Sequence, residues 1–168
     1  LTEVPDKEKV QYLLTYLPQL SAEEVNAIVA SVGEKDLKRR ALVARVGYFM
    51  NQRRWRAAHD AIKEAAPQLQ PEGELRSALN LQQLKLWLHT EQYDVLVDRM
   101  DRLYLTDRDR RQKMYLKARI AEAKGRTEEA ASRYEQALKM LLYDEEVVLS
   151  AASFYNRQMP KEEKAYNI

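Results

Sequence analysis

The side chains that could perform chemistry are few and scattered along the chain. The two histidines, His59 and His89, lack the partner four residues away that a helical zinc pair needs, and we interpret them as surface or groove residues. There is no cysteine, which excludes disulfides and thiolate zinc sites. No phosphate-binding glycine loop and no G-x-S-x-G nucleophile pattern occurs. The sequence therefore predicts no catalytic residue, no metal and no cofactor.

Paired carboxylates are the remaining candidates for general acid–base chemistry. They occur as Glu128-Glu129, Glu145-Glu146 and Glu162-Glu163. Each pair falls in the first turn of a predicted helix, where negative charge complements the helix dipole. We interpret these pairs as helix-start residues, and the chain as one that is not an enzyme.

Helices are the elements that must position any site in this chain. Apolar residues make up 45% of the sequence and charged residues 32%, which is typical of a water-soluble helical protein. Four glycines and five prolines leave little turn chemistry for a β-rich fold. No apolar run reaches the roughly 18 residues that a membrane-spanning helix needs. The sequence predicts an all-α fold.

The helical pattern repeats along the chain. Ala58, Leu96 and Ala130 start the same apolar face, at i, i+4 and i+7, in three predicted helices. The first interval, from Ala58 to Leu96, is four residues longer than the second, from Leu96 to Ala130. The proline-bearing link 67–74 accounts for the difference. The second interval equals the period of about 34 residues that is typical of the tetratricopeptide repeat. Ala130 and Tyr134 also fill the A-x3-F step of that repeat, and residues 111–142 resemble it best.

This resemblance implies a right-handed α-solenoid of antiparallel helix pairs, with about ten helices in one domain over residues 1–168. The expected units are an N-terminal helical pair at 1–35, repeats at 36–70, 73–105 and 107–142, and a truncated repeat at 144–168. Tyr115, Tyr134 and Tyr155 fall at repeat positions where the ring packs in the core and the hydroxyl lies at its rim.

The resemblance also implies a function. Family members bind a peptide or protein in a concave groove lined by the first helix of each repeat, without catalysis. Carried over by register, the groove residues are Arg40, Asn51, Lys85, His89, Tyr115, Arg119, Asn156 and Arg157.

Basic residues concentrate between Gly33 and Ala58. This stretch contains eight positive and two negative side chains, although the whole chain has a net charge of only +2. The basic patch predicted from this run comprises Lys38, Arg39, Arg40, Arg53, Arg54 and Arg56. Two readings stay open: a solvated helix face, and a surface that attracts an acidic protein partner. Nucleic acid ranks last, because Trp55 alone interleaves an aromatic ring with these arginines.

A second function remains open beside the binding module. The chain starts at Leu1 rather than Met and ends at Ile168 within a helical pattern, which predicts a piece of a longer protein. Such a piece could be a structural spacer in a longer solenoid, within a multi-protein assembly, with an envelope-associated assembly among the options. The residues leave the compartment open between cytoplasm and periplasm, and leave the oligomeric state undetermined.

Overall fold

The computed structural model describes residues 4–158, and in that range helices and turns account for all regular structure, with no strand. The predicted all-α fold is confirmed. Glu162-Glu163 and the end of the predicted truncated repeat lie outside the described residues. The helices are α1 (Asp6–Tyr16), α2 (Ala22–Ser31), α3 (Lys35–Asn51), α4 (Trp55–Ala65), α5 (Glu74–His89), α6 (Tyr93–Met100), the single turn α7 (Asp107–Arg110), α8 (Gln112–Ala123), α9 (Thr127–Met140) and α10 (Glu145–Gln158).

Local sequence signals set several helix ends. Ser21 and Glu24 form a capping box at the start of α2, in which the Glu24 amide donates to Ser21 Oγ at 3.2 Å and the Ser21 amide donates to Glu24 Oε2 at 2.7 Å. Proline lies in the 3₁₀ turns Leu17–Gln19 and Ala66–Gln68, which follow α1 and α4. Its missing amide prevents either helix from continuing.

The helices form two compact units, the first ending at Thr106 and the second starting at Asp107. This division falls between two of the predicted repeats. In the first unit α3 packs against α1, α2, α4 and α5, and α5 packs against α6. In the second unit α8 packs against α9, which packs against α10. That the whole chain forms one continuous domain stays a prediction.

The same turn recurs at the ends of α3, α5 and α8. Arg53, Glu91 and Gly125 have φ values of 53°, 58° and 68°, which lie in the left-handed region. In each turn, the residue that follows the left-handed one donates a hydrogen bond from its amide to the carbonyl of the residue five positions before it. These bonds are 2.8 to 2.9 Å long, as in a Schellman motif. Each of these turns lies the same number of residues before Ala58, Leu96 or Ala130. The turns therefore recur at the same two intervals that separate these three predicted repeat positions.

The helix after each of these turns packs through the predicted positions. Ala58, Leu96 and Ala130 are each fully buried, with 0% of their surface exposed. The positions four residues later are also buried, and so are Ala65 and Ala137 seven residues later. The third predicted position, Leu103, is half-buried and lies beyond α6, which ends at Met100. The predicted register therefore matches the buried faces of all three helices, but α6 is shorter than predicted and does not include the third position.

Candidate partner-binding surfaces

Two adjoining helices in the first unit carry partly exposed stripes in the same register. Along both α3 and α5, residues that are not fully buried occur at successive intervals of four, three and four. The α5 positions follow the α3 positions by the same interval that separates Ala58 from Leu96, and the two helices pack against each other. We call these eight residues the first-helix stripe: Arg40, Ala44, Gly47 and Asn51 on α3, and Ala78, Gln82, Lys85 and His89 on α5.

The two halves of the first-helix stripe meet at Gly47. A Cβ atom on Gly47 would lie 3.3 Å from the side-chain nitrogen of Gln82, so glycine allows a close approach here. The sequence pattern did not single out the central residues Ala44, Gly47 and Gln82. The interval from Ala58 to Leu96, applied to positions along α3, would have given the matching positions on α5 and so the shared register of the two helices. Four of the predicted groove residues lie on this surface: Arg40, Asn51, Lys85 and His89.

Gln82 contributes an unusual polar atom to this surface. Its side-chain oxygen is buried and accepts no hydrogen bond from the described residues. A buried acceptor without a donor costs about 1–3 kcal/mol. The oxygen lies beneath the exposed part of this surface, out of reach of a partner.

Aromatic stacking fixes one end of the first-helix stripe. The imidazole of His89 stacks on the indole of Trp55, with ring centroids 5.0 Å apart and an angle of 7° between the planes. Nearby in sequence, the Arg54 guanidinium lies 5.2 Å from the centroid of the Phe49 ring. His89 is thus held by packing as well as exposed, which suits a residue that presents a fixed surface.

Tyr115 in the second unit is a packing residue. Its side chain is fully buried, and its hydroxyl donates to Glu146 at 3.2 Å and lies 3.1 Å from Ser150 Oγ. Arg119 donates to the same hydroxyl at 3.0 Å. The expected core position of Tyr115 is confirmed, and its assignment to a partner-binding groove is corrected because α10 covers it.

Arg157 and Arg119 are likewise engaged within the second unit. Both pair with the carboxylate of Glu122, which also accepts a hydrogen bond from the Tyr134 hydroxyl at 2.5 Å. Burial, together with the adjacent Glu122 carboxylate, raises the pKa of the Tyr134 hydroxyl above its usual value. Asn156 remains exposed on α10. This cluster ties α8, α9 and α10 together and leaves few free groups for a partner.

Two of the three N-terminal residues of the predicted basic patch hold the fold together. Lys38 donates to the carbonyls of Val29 and Ala30, so its charge lies at the negative end of the α2 dipole. Arg39 donates to the Gln68 carbonyl at 2.7 Å and pairs with Asp36 at 2.8 Å. These two cations are therefore structural.

The other half of the patch lies at the opposite end of α3. The helical rise separates Arg40 from Arg53 by about 20 Å, beyond the Debye length of about 8 Å at physiological salt. The predicted basic patch therefore divides into two groups, of which the second is an exposed arginine cluster at the turn from α3 to α4. We call Arg53, Arg54 and Arg56 the turn arginines.

Comparison of the chain with models of known protein families, with characterised proteins and with solved structures finds no match. Within residues 4–158 no three histidine, cysteine or carboxylate side chains are grouped to hold a metal ion. No helix in that part of the chain is both long and apolar enough to cross a membrane. Function must therefore be argued from the geometry of the surfaces described above.

Proposed function

We propose that the chain is a non-catalytic protein–protein interaction module, and that it binds a peptide or protein segment along the first-helix stripe. The matched register of this stripe on α3 and α5 is the observation that carries the proposal. The recurrence of one turn type after α3, α5 and α8 also supports a right-handed solenoid of antiparallel pairs, as in tetratricopeptide-like proteins. Stacking of such pairs generates an extended surface from equivalent positions.

The composition of the stripe suggests how a partner is held. Ala44 and Ala78 have small side chains, so a partner's backbone or an apolar side chain can approach the helices closely there. Arg40 and Lys85 add positive charge, which favours a partner that carries Asp, Glu or a carboxyl terminus.

Quantitative affinity capture from a cell extract tests this proposal, with two charge-reversed variants side by side. Lys85→Glu alters the stripe, whereas Lys63→Glu makes the same charge change at an exposed position on α4. We expect a specific partner to be depleted about tenfold or more with Lys85→Glu and retained with Lys63→Glu. Equal recovery with both variants would contradict binding at this stripe.

A structural spacer is the second candidate, and one observation favours it. Leu142, Tyr143 and Leu149, at the turn from α9 to α10 and on α10, are 61%, 98% and 60% exposed, which is unusual for large apolar side chains in one region. A neighbouring domain that covered them would use the chain as a scaffold. Capture that is lost with Leu149→Ser but unaffected by Lys85→Glu would support the spacer over the binding module.

A further inference from the structure

A groove of about 470 Å³ lies between α1 and α2, apart from the first-helix stripe. Its floor is apolar and buried, since Leu20 and Ile28 are less than a tenth exposed. Tyr12, 49% exposed, and Val4, 40% exposed, rise beside it. The remaining lining residues are Glu8, Lys9, Glu24 and Ala27.

The rim of this α1–α2 groove is acidic. Glu8 and Glu24 are both exposed and line the groove. Glu24 is also fixed in place by the capping box, and the Ser21 amide that donates to it lowers the pKa of its carboxyl. A carboxylate that is already immobilised loses little conformational entropy when it binds a cation.

Lys9, the one cation that lines the groove among residues 4–158, is already committed elsewhere. It is buried, and its ammonium donates to Asp6 at 2.9 Å and to the Ser31 carbonyl at 3.1 Å. Its aliphatic stem adds apolar surface to the groove, while its charge is balanced by Asp6 and by the end of α2. The negative charges of Glu8 and Glu24 are thus left for a molecule that enters the groove.

We propose that the α1–α2 groove binds a short protein segment in which large apolar side chains are flanked by lysine or arginine. The apolar floor would cover the apolar anchor, and the rim carboxylates would pair with the flanking cations. The preferred charge is opposite to that of the first-helix stripe. The inference therefore stands independently of the proposed function, and the two surfaces would select different partners.

Fluorescence anisotropy with a labelled peptide, Gly-Lys-Leu-Leu-Lys-Gly, tests the proposal on the full chain. One control peptide replaces both lysines with glutamate, and a second replaces both leucines with serine. We expect the first peptide to bind at least about tenfold more tightly than either control, and its affinity to fall with added salt. Equal binding of the three peptides would overturn the proposal.

Variants of the protein locate the binding site. Ala27→Phe should fill the groove and weaken binding about tenfold, whereas Ala30→Phe places the same ring at an exposed position of α2 outside the groove. Glu8→Gln should weaken binding severalfold, while Glu23→Gln removes an equal charge from a residue that does not line the groove. If both members of either pair behave alike, the groove is not the binding site.

Sedimentation of the unliganded chain identifies the competing occupant. We expect its sedimentation to be the same for the parent protein and for Ala27→Phe. Self-association that Ala27→Phe abolishes would mean that a second copy of the chain occupies the groove, which would also overturn the proposal. Thermal melts of all variants distinguish loss of binding from loss of folding.

Discussion

Arg53 and Glu91 adopt the same left-handed backbone conformation at the ends of α3 and α5, with φ values of 53° and 58°. At the equivalent place after α8 the residue is Gly125. A side chain in this conformation costs about 1–2 kcal/mol relative to a right-handed one, whereas glycine adopts it freely. Two of the three turns therefore carry strain that the third avoids.

Arg53→Gly and Glu91→Gly should each raise the free energy of unfolding by up to about 1 kcal/mol, because relief of strain outweighs the added flexibility of the unfolded chain. Urea denaturation measures this change. Gln52→Gly is the control, since Gln52 has an ordinary φ of −80° and should lose stability with glycine. Similar losses at residues 52 and 53 would contradict the assignment of strain.

Ala130→Asp should destabilise the second unit by about 3 kcal/mol or more. Ala130 is fully buried on α9, which packs closely on α8, so the carboxylate would be desolvated without a partner. Ala152→Asp, at an exposed position on α10, is the control and should change little. Thermal and urea denaturation provide the measurement, and an unchanged melting temperature for Ala130→Asp would show that the α8–α9 packing is wrong.

Asp6 should make the first unit sensitive to acid. Its carboxylate accepts hydrogen bonds from the amides of Gly33 and Glu34, both at 2.7 Å, and it pairs with Lys9. The Glu34 amide is the largest of these influences, and together they lower the pKa of the carboxyl from 3.8 to about 2. Because the pKa is lower in the folded state, the ionised carboxyl stabilises the fold at pH values above 3.8, its pKa in the unfolded chain. That stability is lost as the pH falls towards about 2.

Asp6→Asn should remove this part of the acid response. Denaturation at a series of pH values from about 5 to about 2 measures the loss of unfolding free energy in the two proteins. We expect the slope to be smaller in Asp6→Asn than in the parent protein. Identical slopes would mean that the contacts of Asp6 do not persist in solution.

Tyr134 should produce the opposite response in alkali. Its hydroxyl is buried and donates to Glu122, which raises its pKa above the unfolded value of 10.0. The stability that comes from the neutral hydroxyl is complete below pH 10 and is lost as pH rises above it. Tyr134→Phe should therefore flatten the decline in unfolding free energy between pH about 9 and about 11. Tyr143→Phe, at a residue 98% exposed, should leave the decline unchanged.

Reversing all three turn arginines to glutamate should slow association with an acidic partner, and should speed dissociation far less. Coulomb attraction acts while the two proteins are still approaching each other, so it affects mainly the association rate. Salt weakens it, because the Debye length shrinks from about 10 Å at 0.1 M salt to about 3 Å at 1 M. Stopped-flow measurements at both salt concentrations with the captured partner test this. The same reversal of Arg108, Arg110 and Arg111 in the second unit is the control, and a salt-independent association rate would exclude steering.

The spacing of small and apolar residues was enough to predict which faces of α4, α6 and α9 are buried. Ala58, Leu96 and Ala130 each begin a buried helix face with the same spacing, because residues three or four positions apart lie on the same side of a helix. The strained turns were not predictable in the same way. Arginine and glutamate carry no signal for a positive φ, whereas Gly125 does.

Contacts between distant segments account for the other differences. Tyr115 is covered by Glu146 and Ser150 of α10, and sequence spacing within α8 gives no information about that neighbour. The predicted basic patch divides into two groups for a similar reason, since residues close in the chain lie at opposite ends of α3. Charge counted along a sequence does not measure charge density on a surface.

The central place of α3 in the first unit has a consequence for synthesis of the protein. α3 is covered by α1 and α2, which precede it, and by α4 and α5, which follow it. A nascent chain that has not yet released α5 from the ribosome therefore exposes part of the apolar surface of α3, including side chains that are buried in the finished unit. We expect α3 to be the segment that a chaperone binds during translation, until His89 at the end of α5 has emerged.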